Sequence, residues 1–94
     1  MRFTWDERKN RTNQRNHGLR FETAIQVFDD PFHISVADRE IDGELRWQTI
    51  GMVRGIQILL VAHTVLESED EEVVRIISAR KATPQERRLY AQDV

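Results

Sequence analysis

A strand-like run, Val73-Val74-Arg75-Ile76-Ile77-Ser78-Ala79-Arg80-Lys81-Ala82, leads directly into Thr83-Pro84-Gln85-Glu86-Arg87-Arg88-Leu89-Tyr90. An arginine's planar fork donates two parallel hydrogen bonds, which suits phosphate oxygens. Arg80 ends the strand beside a helix start, where functional groups collect, and is the favoured phosphate contact. Arg75 divides evenly between a phosphate clamp and a surface ion pair with the acidic middle of the chain. Period-two geometry puts Ile76, Ser78 and Arg80 on one face and Arg75, Ile77, Ala79 and Lys81 on the other. Without a bulge, the two arginines cannot enter one pocket. A strand ending in cations beside a helix bearing Arg87 and Tyr90 is a plausible grip for a phosphodiester, and hence for RNA cleavage.

Other candidates are scattered. Glu44 and Arg46, two apart on a strand, face the same way: an acid/base with a phosphate cation, or a cross-strand charge network. His63, with Leu59, Val61 and Val65 on its face, is the best general base by type, although a histidine so placed is more often a core residue. Tyr90 can stack on a base or donate a proton, or simply pack with Leu89 on the sheet. His17, before Gly18, is explained by the helix macrodipole. His17, His33 and His63 have no metal-ligand spacing, and cysteine is absent, so neither a metal nor another cofactor is expected. Gly-rich phosphate loops and GxSxG motifs are absent as well.

Ninety-four residues imply one domain over 1–94 with a small core. The longest apolar run, Ile58–Ala62, is too short to span a bilayer, and the start of the chain has no apolar signal region. A cytoplasmic protein without a membrane role is the expectation. The formal net charge of −2 hides segregation. Residues 1–20 carry six cations against two acids, and residues 75–90 carry five against one. Residues 21–74 carry twelve acids against three arginines. If the two basic ends meet, an acidic protein acquires a positive surface able to hold nucleic acid; otherwise these charges are solvated faces.

Arg2–Trp5 alternates as a short edge strand. Asp6 as N-cap and Gly18 as C′ bracket a helix at about 7–17. It has no large apolar residue, so it must lie on the surface or against a polar partner. Phe21, Ala24, Ile25 and Phe28 give one apolar face to a second helix at about 21–29, ended by Pro31. From Phe32 the period is two. Phe32–Val36, a turn at Asp42-Gly43, Leu45–Val53, a tight turn at Arg54-Gly55 and Ile56–Val65 form a meander. An acidic loop at 67–72 precedes the last strand, Val73–Lys81. Thr83, Pro84 and Glu86 then start a helix at 84–91 with a capping box. The expected class is α+β: two N-terminal helices, a four-stranded antiparallel meander with Ile56–Val65 central, helices on one face, and a C-terminal helix.

Trp5-Asp6-Glu7, the basic helix ending in His17-Gly18, Phe21 to Phe28, the Glu44/Arg46 pair, Ala62-His63-Thr64 and Arg75 to Ala82 with Glu86-Arg87 and Tyr90 resemble the BrnT family. These are toxins of type II toxin–antitoxin modules, and the resemblance runs from about Phe3 to Tyr90. It implies a RelE-like fold and a metal-independent endoribonuclease that slows translation. It also implies a cognate BrnA-like antitoxin, with operator DNA reached only through that antitoxin. In such a ribonuclease Arg80 would hold the phosphate, Lys81 or Arg46 would assist, His63 or Glu44 would be the base, and Tyr90 would stack or donate. Arg75, Lys81, Lys9 and Arg87 would bind RNA. The alternative is a non-catalytic binding module that acts as an antitoxin-bound co-repressor.

Overall fold

A computed structural model describes residues 1–92; Asp93 and Val94, the end of the expected 1–94 domain, lie outside the described residues. The elements are β1 (Arg2–Trp5), α1 (Glu7–His17), α2 (Phe21–Ala24), a 3-10 turn (Ile25–Asp29), β2 (Ile34–Ile41), β3 (Glu44–Val53), β4 (Gln57–Glu67), β5 (Glu72–Lys81) and α3 (Pro84–Gln92). One sheet has the order β1-β5-β4-β3-β2. The class is α+β as expected, but the sheet has five strands and is mixed. β1 joins it parallel to β5, Arg2 opposite Val73 and Trp5 opposite Ile76. A four-residue strand carries too little pattern to reveal a distant parallel partner.

The meander follows its turn residues. Asp42 and Gly43, and Arg54 and Gly55, all have positive φ, the backbone that type I′ hairpins require. β4 is central, and Leu59, Leu60 and Val61 are all buried, so both of its faces are covered. The acidic stretch is a shorter loop than expected. β4 runs on to Glu67 and β5 begins at Glu72, the two residues directly opposite each other.

α1 is capped as the sequence indicates. Asp6 Oδ1 accepts from Arg8 N at 2.8 Å, and Gly18, at φ 69°, ends the helix. Having no apolar stripe, it docks through two buried asparagines. Asn13 Nδ2 donates to Leu19 O and Ala79 O, both at 2.9 Å, and Asn13 Oδ1 accepts from Ala79 N at 3.0 Å. β1 pairs with β5 only as far as Ile76, so this amide supplies the partner that Ala79 would otherwise lack. Asn10 Oδ1 accepts from Phe21 N at 2.8 Å, and its Nδ2 donates to Glu7 and Glu22. The polar partner expected for this helix is the protein's own backbone.

The second helix is one α turn followed by the 3-10 turn, and Arg20 offers no side-chain cap. Phe21, Ala24 and Val27 are fully buried against Val53, Leu59, Val61, Val74 and Ile76. Gly51 lets this segment approach, because a Cβ there would lie 2.8 Å from Val27 O.

α3 packs on the opposite face of the sheet, not beside the N-terminal helices as expected. Its Tyr90 forms a separate cluster with Ile50 and Leu60, which project away from the Val27 side. The capping box is present: Glu86 N donates to Thr83 Oγ1 at 3.2 Å and Thr83 N to Glu86 Oε1 at 2.9 Å.

Candidate active site

The arginine-bearing strand departs from simple alternation. Ala62 stands opposite Ser78, but His63 stands opposite Ile76, so Ile77 is an extra residue. A bulge of this kind changes which face the following residues present. Arg75 thereby joins Ser78 and Arg80 on the α3 side, and Ile76 joins Ala79 and Lys81 on the helix side. The face assignment made from uninterrupted alternation is thus corrected by one inserted residue.

α3 covers only the Ile50–Leu60 end of its face. Among the described residues no helix covers the remainder, which carries Glu44, Arg46, Gln48, Arg75 and Ser78 above the buried Thr64. Arg75 Nη2 is hydrogen-bonded to Glu44 Oε1, and its Nε lies 3.5 Å from Oγ1 of the buried Thr64. Both members of the Arg75–Glu44 pair remain about half exposed, at 46% and 48% of their side-chain surface. Arg46 shares this face, and its buried Nε has no hydrogen-bond partner among the described residues. A buried donor without a partner is costly.

Arg80 lies at the border of the same face but is engaged. Its Nη1 and Nη2 donate to Glu86 Oε1 and Oε2 at 2.7 and 2.9 Å. The Arg80 hydrogen bonds, opposed by partial burial and helped by Thr83, hold the Glu86 carboxyl down at about 2. The same carboxylate raises the arginine's own pKa. This pair ties β5 to α3. Arg87 Nη1 donates to Ala82 O at 3.2 Å. Lys81, opposite Leu59, is exposed on the helix side of the sheet.

Tyr90 is not presented to solvent. Its ring is buried with Ile50 and Leu60, and its hydroxyl donates to Asp30 Oδ2 at 2.5 Å. Burial, with the Asp30 carboxylate, pushes it up to about 12. Burial also opposes ionisation of Asp30, but hydrogen bonds from Tyr90, Met52 N and Phe32 N outweigh it and lower its pKa. This contact fastens α3 to the turn before β2, and no sequence pattern pointed to Asp30.

His63 is on the other face, away from the arginines, and is only 3% exposed. Its Nε2 is 2.7 Å from Thr49 Oγ1, which is 2.7 Å from Ser35 Oγ, and Phe28 stands edge-on at 5.2 Å. Burial lowers its pKa. It borders a cleft of about 540 Å³ lined also by Phe28, His33, Trp47, Glu67 and Glu72. His63 and the arginine face are therefore two separate places, whereas Glu44, Arg46 and Arg75 come together. Lys9 lies elsewhere again, on α1 beside the bulge. Thr64 stands in the Ala62-His63-Thr64 stretch, but nothing in the sequence pairs it with Arg75. Asn10 and Asn13 carried a signal, two amides three apart in a helix without apolar residues.

Among the described residues no helix is long and apolar enough to cross a membrane, and no three His, Cys, Asp or Glu side chains are grouped to hold a metal ion. Comparison with curated proteins gives no match. Among solved structures, the chain is similar to the crystal structure of the Brucella abortus ribonuclease toxin, BrnT. The two share 28% identity and a TM-score of 0.64, covering 88% of this chain and 97% of that one. Residues 5–86 match the family described as ribonuclease toxin, BrnT, of type II toxin–antitoxin system. With most of its length inside that match, and the same fold seen in the Brucella toxin, the chain belongs to the BrnT family of ribonuclease toxins.

Proposed function

We propose that the protein is a metal-independent endoribonuclease, acting in the cytoplasm to slow translation, whose site is the open sheet face at Arg75, Glu44 and Arg46. The observation that carries this is the Arg75–Glu44 pair beside the unpartnered buried Nε of Arg46. Cleavage of RNA without a metal needs a base for the 2′-hydroxyl proton and cations for the charge that develops on phosphorus. Glu44 is the base, and Arg75 and Arg46 hold the phosphate oxygens. Thr64 fixes Arg75 from below. The face is open, so water reaches the departing 5′ oxygen. Glu44 takes precedence over His63, which is buried on the far side of the sheet. Arg80 and Tyr90 act at one remove by holding α3 in place. Lys9 and Arg87 are cations for the flanking RNA.

A BrnA-like antitoxin is the proposed cognate partner, with operator DNA reached only through it. The deciding measurement is cleavage of RNA in EDTA by protein freed of its partner. Wild type should cleave. Arg75→Ala and Glu44→Gln should each lose about 10²–10³ in rate with the melting temperature little changed. Undiminished cleavage by folded Arg75→Ala would remove this site, and no cleavage by folded wild type would leave a binding module.

A further inference from the structure

Among the described residues β5 has no strand on its outer side beyond Ile76, and α1 takes that position. Where the helix meets the bulge there is a hollow of about 290 Å³, floored by the apolar Ile77 and the stems of its neighbours, whose polar lining includes Arg8, Lys9, Thr12, Asn16, His17 and Ser78. Each of these six side chains can donate a hydrogen bond, and none is a carboxylate. The nearest acids in the chain are already engaged. Asp6 caps Arg8 N, and Glu7 accepts from Trp5 Nε1 at 3.1 Å and from Asn10 Nδ2 at 3.1 Å. Neither Arg8 nor Lys9 has an ion-pair partner among the described residues. The acidic turn lies at the opposite end of β5.

Ser78 connects this hollow to the arginine face. The bulge places it on the side that bears Arg75, and it also lines the hollow. The edge of β5 at Ile77–Ser78 therefore lies between the hollow and the arginine face, where the Glu44 carboxylate is paired with Arg75. Single-stranded nucleic acid is held by cationic surfaces that follow its backbone.

We propose that the hollow is a second phosphate subsite, which takes a backbone phosphate of the RNA strand flanking the one held at Arg75. The inference rests on the reading of the open face as the cleavage site. It assigns Arg8 and Lys9 to substrate affinity and length dependence, with Thr12, Asn16 and Ser78 as neutral donors.

The test uses the antitoxin-free full chain and uncleavable 2′-O-methyl RNA as di-, tetra- and octanucleotides. For wild type, affinity should rise as the strand lengthens past the scissile step. For Arg8→Ala with Lys9→Ala, that rise should be lost, and the salt slope of octanucleotide binding should fall by about 0.7, the value for one phosphate on a single strand. Arg8→Lys should retain it. A double variant, folded by circular dichroism, that keeps the wild-type length dependence and salt slope would overturn the subsite. Failure of the parent reading looks different: Arg75→Ala would still cleave a cleavable RNA, whatever the length series shows. An equal loss of affinity for every length would also overturn the subsite, because it would place Arg8 and Lys9 at the scissile step itself.

Discussion

His63 and Glu86 contribute to stability in different pH windows. His63 is neutral in its buried site, with its pKa lowered from 6.5 by desolvation. The unfolded chain binds that proton more readily, so stability is full above about 6.5 and is lost as pH falls towards the lower folded value. The melting temperature should fall as pH drops below about 6.5, and His63→Gln should flatten that slope; an unaltered slope would acquit His63. Glu86 acts lower. Its carboxyl is held at about 2 against an ordinary 4.5, so its contribution is present above 4.5 and fades as pH falls towards 2. Glu86→Gln should reduce that acid-range slope, leaving the part due to Asp30, and loosen α3, because Arg80 loses its charged bidentate partner. Arg80→Ala should accordingly lower the melting temperature. If it abolished cleavage at unchanged stability, Arg80 would belong with the phosphate. From the sequence Arg80 looked more functional than Arg75, because a capping glutamate gives no sign that it also grips a strand.

Elements were legible where their signals are local. The caps of α1, the capping box of α3 and the two positive-φ turns lie within a few residues of the groups they satisfy, and all stand where the sequence put them. The central strand β4 was legible from its unbroken apolar run. What stayed hidden depends on distant pairing: the parallel β1, the side of the sheet taken by α3, and the bulge at Ile77. The bulge matters most for the site, since it brings Arg75 and Arg80 to one face, and a one-residue change of phase leaves no mark in composition. Asn13 holds the strand just past it. Asn13→Ala would leave Leu19 O, Ala79 O and Ala79 N without their amide, a loss of about 3 kcal/mol. In a domain this small that lowers the melting temperature by roughly 10 °C or more. Calorimetry of the variant checks this, and a shift of only a degree or two would mean that water replaces the amide.

The molecule as a whole separates its charge, and the structure keeps the separation. The cations of α1 stand exposed beside the bulge edge of β5. Glu69, Asp70 and Glu71 stand on the turn at the other end of that strand, with Arg2 pairing Glu71 at 3.1 Å. A helix anchored by two asparagines, with its remaining side chains in water, adds little apolar burial to a small core. A bound partner therefore stabilises this domain by mass action. The toxin–antitoxin family supplies such a partner. An acidic or amphipathic antitoxin segment laid over α1 and the strand–helix corner would cover the donor-lined hollow and reach the open face beyond it, and so block RNA. Opposite charges steer encounter, so association should be fast at low salt and slow as salt rises. Charge reversal at Arg8, Lys9 and Arg15 should slow association far more than reversal at Glu69, Asp70 and Glu71, with a difference that shrinks in high salt. Stopped-flow mixing of toxin and antitoxin measures both. If the acidic-turn variant were the one to lose its partner, the antitoxin would sit at the opposite end of β5, and inhibition would have to act without covering the RNA track.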